Sequence, residues 1–328
     1  MRKLIFYNDR IFVAGATGMA GRAICRALQK SGYGSNLHGG SLLTPTRQDL
    51  DLLDTNSVFS WYQHFKPTVA ILAAAKVGGI YANASCPADF LLENLKIQSN
   101  VIEGAWRYGV RRFLFLGSSC IYPKYAPQPI NEDSLLTGPL EPTNSSYALA
   151  KITGLKLCES LANQYGFDAF SLMPTNLYGP GDNYHPTNSH VLPALIRRFH
   201  EATQLNIPSV TCWGSGKPLR EFLHVDDLGS ATVFTLENWL PSRDKIRYLN
   251  VGSGAEISVK NLAISIANAT GFNGSIMWDS SKPDGTPRKL LDVSRLKALG
   301  WESSISLTEG INKTVDSYRK KFEGLDIN

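Results

Sequence analysis

Residues 11–21 read Ile11-Phe-Val-Ala14-Gly15-Ala16-Thr17-Gly18-Met19-Ala20-Gly21: an apolar run enters three glycines spaced by two, and a helical pattern follows from Gly21 to Leu28. Glycines in such a spacing can simply serve a tight turn. Between a strand and a helix they do more, because backbone N–H groups at the helix N-terminus can then approach the oxygens of a pyrophosphate. The stretch points to a dinucleotide loop formed by all seven residues from Gly15 to Gly21.

Outward from this loop the alternation continues. Val69-Ala-Ile-Leu-Ala73 precedes a helical pattern from Phe90 to Tyr108, Phe113 to Leu116 precedes one from Tyr147 to Tyr165, and Ala169-Phe-Ser-Leu-Met173 follows. Strand and helix in turn predict an α/β fold, a doubly wound parallel sheet of Rossmann-like type. After about residue 180 glycine, proline, tryptophan and histidine become frequent and the alternation less regular. At 328 residues the chain exceeds one typical domain. We expect residues 1–178 to bind the dinucleotide and residues 179–328 to form mainly a smaller substrate lobe, with 222–253 returning to the first unit.

Composition excludes several classes. The 33 basic and 28 acidic residues leave a net charge of +5, dispersed along the chain with short runs such as Arg111-Arg112, Arg197-Arg198 and Arg319-Lys320-Lys321. No nucleic-acid stripe results, whereas a small anionic ligand needs only a few placed cations. No apolar segment reaches the roughly 20 residues of a membrane span, and the N-terminus lacks a signal-peptide pattern, so we expect no membrane partner and a cytoplasmic location. The cysteines, Cys25, Cys86, Cys120, Cys158 and Cys212, show neither CxxC spacing nor a His/Cys cluster. Neither disulfides nor a metal site is expected, and all but Cys120 read as small core fillers.

Two further stretches carry chemistry. In Leu43-Thr-Pro-Thr-Arg47-Gln-Asp-Leu-Asp51 the first charged residue after the second strand is Arg47, which suits a ribose 2′-phosphate and favours NADP. In Tyr147-Ala-Leu-Ala-Lys151 the spacing puts phenol and ammonium on one helix face. The ammonium is expected to lower the phenol's pKa from about 10, so that Tyr147 can exchange a proton with a carbonyl oxygen while hydride moves at its carbon.

With the strand Phe113–Leu116 ending in Gly117-Ser118-Ser119-Cys120, this order resembles the extended short-chain dehydrogenase/reductase family, in which Ser or Thr, Tyr and Lys surround a carbonyl beside a nicotinamide. The segments LAAAKVGGI (72–80), LGSSCIYPK (116–124), LEPTNSSYALAK (140–151), MPTNLYGPGDNYHPTNSHVLPALIRRFHEA (173–202), WGSGKPLREFLHVDD (213–227) and SKPDGTPRKLLDVSRL (281–296) are similar to its 3,5-epimerase/4-reductases of GDP-4-keto-6-deoxymannose. The resemblance implies NADPH, a GDP-sugar substrate, and Ser118, Tyr147 and Lys151 at the carbonyl. In related 4,6-dehydratases an Asp-Glu pair follows the Ser or Thr. Here Ser119 replaces the Asp and Cys120 the Glu, so Cys120 is implied as an epimerisation base without the acid that expels water. His190 matches the family's histidine acid and is also the candidate for lowering or relaying the thiol's proton.

The same resemblance implies further cofactor contacts at Asp51, Leu52, Leu116, Gly117, Ser119, Lys151, Pro174, Thr175, Asn176, Leu177 and His190. It implies substrate contacts at Arg198, Trp213, Arg220, Asp284 and Lys289, with Asp284 on a guanine edge. His224 is taken as structural and His185 stays undecided. Thr17 stands where many relatives have an arginine for the 2′-phosphate, and Tyr33 to Gly40 adds length before the second strand, which leaves NADPH preference open. Apolar positions beyond one stripe, Leu91, Leu92, Leu95 and Ile97 on one helix and Leu149, Ile152, Leu155 and Leu157 on the next, imply a homodimer in this family. The alternatives are an epimerase/reductase for another GDP-4-keto-deoxy sugar, such as a deoxyheptose or dideoxyhexose, and a non-catalytic NADP sensor, against which the retained Tyr147 and Lys151 argue.

Overall fold

The computed structural model describes residues 3–322 except 187, 243, 244 and 283. Along the chain come β1 (Arg10–Ala14), α1 (Met19–Lys30), β2 (Ser41–Leu43), α2 (Thr55–Phe65), β3 (Val69–Leu72), α3 (Ile80–Ser85), α4 (Pro87–Arg107), β4 (Arg112–Leu116), α5 (Ser145–Tyr165), β5 (Ala169–Pro174) and β6 (Asn176–Tyr178). There follow α6 (Val191–Gln204), β7 (Ser209–Trp213), β8 (Leu219–His224), α7 (Val225–Asn238), β9 (Tyr248–Val251), β10 (Glu256–Ser258), α8 (Val259–Thr270), β11 (Ser275–Asp279), β12 (Arg288–Lys289), α9 (Ser294–Ala298) and α10 (Leu307–Phe322).

Six strands form a parallel sheet in the order β2-β1-β3-β4-β5-β9. Strand pleating sends alternate side chains to opposite faces, and the runs are apolar throughout because both faces are covered. Phe12, Ala14, Ala70, Leu72, Phe113 and Phe115 pack with Val58 and Tyr62 of α2, Val101 and Ile102 of α4 and Leu155 of α5. Ile11, Val13, Val69, Ile71, Leu114 and Phe170 point the other way, against Ile24 and Leu28 of α1 and Leu228 and Leu236 of α7. The sixth strand, β9, lies beside β5, with Ser171 opposite Tyr248. Phe222–His224 finish β8, and the His224 ring accepts a bond from Asp226 N at 3.2 Å that starts α7.

A third core joins α6, α8 and α10 through Leu192, Ile196, Phe199, Leu262, Ile266, Ile311 and Tyr318. Beside it β7 pairs with β11, while β8 joins two sets of strands: Phe222–His224 pair with β6, Leu219–Glu221 with β10, and Leu219 and Arg220 with β12. Among the described residues no helix is long and apolar enough to cross a membrane.

Two expectations change. Ile152 and Leu155 turn into the protomer's own core, leaving Leu92 and Leu149 as the exposed leucines of the α4–α5 pair, because the two helices cross closely and use those positions against each other and the sheet. Cys86 is no core filler: it is exposed at the junction of α3 and α4, whereas Cys158 and Cys212 are buried.

The α4–α5 crossing depends on Gly154, where a Cβ would lie 2.7 Å from both Gln98 Oε1 and Phe115 Cζ. Gln98 Nε2 in turn donates to Ala150 O at 2.5 Å. Alanine gains about 1 kcal/mol of helix propensity over glycine, but overpacking typically costs about 1–3 kcal/mol. We therefore expect Gly154→Ala to lower the urea midpoint. A midpoint at or above that of the parent would show that the helices separate freely.

Candidate active site

The glycine loop is built by close approach. Gly15 has φ +86, and a Cβ there would lie 2.6 Å from Ala74 N, while one on Gly21 would strike the Gly15 carbonyl. Gly18 N donates to Gly15 O at 3.1 Å, and Gly18 begins α1 with extended backbone and no side-chain cap. Thr17 and Gly18 are exposed. The first-turn N–H groups of α1 thus face outward at the positive end of its dipole, a cradle that fits the pyrophosphate of a dinucleotide. Arg47 is exposed in the turn that follows β2, four residues beyond its end at Leu43. Of the implied neighbours there, Asp51 accepts from Leu53 N at 3.0 Å and Leu52 is half-buried.

At the carboxyl end of β4 the polar stop in LGSSC becomes a short helical turn, Ser119–Ile121, in which Ser118 Oγ accepts from Cys120 N at 3.2 Å. Gly117 N donates to Leu172 O at 2.9 Å and Ser119 is buried behind the turn, so Ser118 and Cys120 are the two side chains presented to the cleft. Tyr147 and Lys151 face them from the first turns of α5. Lys151 Nζ donates to Leu116 O at 2.8 Å and lies 5.9 Å from the centre of the Tyr147 ring.

The expected electrostatics of this pair are reversed. Burial, followed by the charge of Cys120, pushes the Tyr147 phenol well above its ordinary pKa, against a hydrogen bond with Ser118. Burial also pushes the Lys151 ammonium down to about 7. Desolvation is the leading cause of both shifts, while the ammonium bonds the Leu116 carbonyl.

The thiol of Cys120 has two donors beside it: Lys289 Nζ at 3.5 Å and Asn144 Nδ2 at 3.6 Å. Lys289, expected only among the substrate contacts, therefore stands on the thiol. His190 heads α6, and although part of its surface meets solvent, the protein around the ring and then the Lys289 charge push its pKa below the ordinary value. Sequence reasoning missed Asn144. Its place before a helix reads as a cap, yet its side chain makes no cap bond and reaches the thiol instead.

On the cofactor side, Pro174 ends β5, Thr175 N donates to Val251 O at 2.9 Å, Asn176 Nδ2 donates to Glu221 O at 2.8 Å, and Leu177 is half-buried. On the substrate side, Trp213 is 55% exposed, with the Arg198 guanidinium 5.5 Å and the Lys282 ammonium 5.6 Å from its ring centre. Lys282 is a second residue the sequence pattern did not single out. Arg220 lies opposite Lys289 on paired strands and donates to Asp284 O at 3.3 Å. The Asp284 carboxylate accepts from Ser215 N and Oγ, both at 2.7 Å, bonds that hold its pKa below the ordinary carboxylate value. It ties the turn after Trp213 to the strand of Lys289. His224 is a buried helix cap, and His185 is exposed. Taken together the arrangement offers a thiol with an adjacent ammonium, a protonated phenol and hydroxyl for a developing oxyanion, and a cationic, aromatic arm for a nucleotide.

The sequence pattern of the NAD dependent epimerase/dehydratase family matches residues 11–252. The chain is 54% identical over 311 residues to putative GDP-L-fucose synthase 2 of Arabidopsis thaliana, covering 95% of this chain and 92% of that one. It is 52% identical over 312 residues to GDP-L-fucose synthase of Escherichia coli strain K12, covering 94% and 95%. Among solved structures, a GDP-mannoheptose C4 reductase from Campylobacter jejuni with NADP bound superposes with a TM-score of 0.86 at 36% identity, over 96% of this chain and 99% of that one.

The Lys151 shift has a sign that can be checked. In the unfolded chain the ammonium holds its proton to near 10.5, and in the folded chain to about 7. Between those values the unfolded state binds more protons, so this residue makes stability rise with pH and takes it away as pH falls toward 7. In cofactor-free protein we expect Lys151→Met to be more stable than the parent at pH 7 and to flatten the rise of the urea midpoint between pH 7 and 9. Parallel curves would mean that the buried lysine stays charged.

Proposed function

This chain belongs to the NAD dependent epimerase/dehydratase family, and from that membership we propose that it converts GDP-4-keto-6-deoxy-D-mannose to GDP-L-fucose by 3,5-epimerisation and NADPH-dependent 4-reduction. The observation that carries the reading is the Cys120 thiol with the Lys289 ammonium on it, one turn from Ser118 and opposite Tyr147. A 4-reductase alone needs only the hydroxyl, phenol and lysine. The neighbouring C. jejuni heptose reductase favours a second reading, another GDP-4-keto sugar, but its 36% identity is well below the 52–54% to GDP-L-fucose synthases.

In this mechanism the substrate's 4-keto group acidifies the hydrogens at C3 and C5. Cys120 removes them as the base, with the Lys289 ammonium 3.5 Å from its sulfur. His190, kept largely neutral at pH 7 by its lowered pKa, relays protons from the cleft mouth to the opposite face. Ser118 and Tyr147 hold the enolate oxygen, and because burial keeps the phenol protonated, Tyr147 is a proton donor to O4. NADPH, when bound, supplies the hydride to C4. Gly15 to Gly21 would hold its pyrophosphate, Arg47 its 2′-phosphate, and Lys151 its ribose. Arg198 and Arg220 grip the GDP diphosphate and Trp213 lies flat on guanine. We assign residues 1–178 with the returning 222–253 segment mainly to the cofactor and the remainder of 179–328 to the substrate.

Incubation with GDP-4-keto-6-deoxymannose and NADPH in D2O, with the product and its deuterium positions identified, tests the reading directly. Cys120→Ser should nearly abolish deuterium uptake at C3 and C5 with NADPH affinity unchanged. Tyr147→Phe should slow hydride transfer roughly 10²- to 10⁴-fold while part of the exchange survives. Equal loss of both activities in Tyr147→Phe would overturn the division of labour, and a product other than GDP-L-fucose would establish the second reading.

The enzyme is cytoplasmic and a homodimer in this proposal. The exposed Leu92 and Leu149 on the α4–α5 face support the dimer, since leucines on adjacent helices make a self-complementary patch across a two-fold axis. Light scattering should give twice the 36.0 kDa chain mass, falling to a single chain in Leu92→Glu/Leu149→Lys. A parent mass of one chain rules the dimer out.

A further inference from the structure

Glu221 on β8 is an acid for which the mechanism has no use. Its side chain is fully buried, and a backbone N–H holds each oxygen: Oε1 accepts from Gly254 N at 2.7 Å and Oε2 from Leu291 N at 3.0 Å, with the Thr175 hydroxyl and Ser253 N also acting on the carboxylate. Its own carbonyl receives Thr175 Oγ1 at 3.3 Å and Asn176 Nδ2 at 2.8 Å. One residue thus joins three walls of the cleft: the end of β5 on the cofactor side, the turn after β9, and the segment that continues β12. The turn passes so close that a Cβ on Gly252 would collide with the carboxylate. Burial raises the Glu221 pKa, and the bonds from Leu291 and Gly254 pull it back.

Leu291 is two residues beyond Lys289, and the segment between is held at each step. Leu290 N donates to Gln128 Oε1 at 2.9 Å and Asp292 N to Ile130 O at 2.9 Å. Main-chain pairing sets Arg288 and Lys289 against Leu219 and Arg220 of β8, and the Glu221 side chain extends that hold one step further, to Leu291. A carboxylate is the one group of this size that accepts on both ends. Glutamine offers one acceptor and turns an NH₂ against the second N–H, and aspartate is a methylene too short.

We propose that Glu221 is a positioning residue that sets the register of the β12 segment so that the Lys289 ammonium rests on the Cys120 thiol and makes it reactive. The proposal rests on the reading of Cys120 as the epimerisation base. Its test reads the thiol itself: iodoacetamide alkylation of the full-length protein at pH 7.5, followed peptide by peptide, with the exposed Cys86 as internal control.

Glu221→Gln should alkylate Cys120 about tenfold more slowly, as should Lys289→Met, because each takes the ammonium away from the attacking sulfur. The double variant should be no slower than Lys289→Met, and Cys86 should react at the parental rate throughout. Glu221→Asp, which keeps the charge, should give an intermediate loss and carries the test if Glu221→Gln does not fold. A parental Cys120 rate in either Glu221 variant, or losses that multiply in the double variant, overturns the proposal. Deuterium exchange at C3 and C5 is measured alongside. Exchange that survives Cys120→Ser would sink the base reading while leaving the alkylation result to decide the role of Glu221.

Discussion

The bond of 2.8 Å from the Lys151 ammonium to the Leu116 carbonyl joins the first turns of α5 to the carboxyl end of β4. Everything at the carbonyl site depends on that junction. It holds Tyr147, one turn earlier, opposite Ser118 and Cys120, the residues with which β4 leaves the sheet. The bond is costly in solvation, since the ammonium sits fully inside the protein, and its lowered pKa records that cost. The Leu116 carbonyl, at the end of β4, is the acceptor that makes the burial tolerable.

A second constraint organises the opposite wall. β8 pairs at one end with β6, which follows β5, and at the other with β10 and β12. Such a shared strand transmits position with little slack, because a register shift would move every side chain to the other face. Arg220, Glu221 and Lys289 are thereby related to one another by main-chain hydrogen bonds rather than by flexible side chains. The dispersed net charge of +5 gives no hint of this concentration of cations around one thiol and one tryptophan.

Desolvation by the surrounding protein sets the protonation of two side chains on which the proposed division of proton transfer rests. It lifts the Tyr147 phenol and lowers His190, so at neutral pH the phenol carries its proton and the imidazole largely lacks one. A reductase delivering hydride to a ketone needs a proton donor at the oxygen, and an epimerase needs a group that can gain and lose a proton repeatedly. The two environments suit those two tasks.

Local patterns along the chain determined much of this. The alternation of apolar runs with helical segments is enough for a parallel sheet covered on both faces, and Gly15-x-x-Gly18-x-x-Gly21 and Tyr147-x-x-x-Lys151 are legible because each works within a few residues of itself. The resemblance to known enzymes added Cys120 and His190 to the candidates. What only the tertiary structure decided is who stands next to whom across long separations: Lys289 on Cys120, 169 residues apart, and Glu221 on Leu291, 70 residues apart. The same holds for Asn144, whose amide leaves the helix end it was expected to cap, and for Ile152 and Leu155, which look like surplus apolar positions until the crossing at Gly154 consumes them. Sequence spacing carries propensity and periodicity, whereas pKa direction, thiol environment and the choice of buried face depend on desolvation and on contacts that exist only once distant strands have closed on one another.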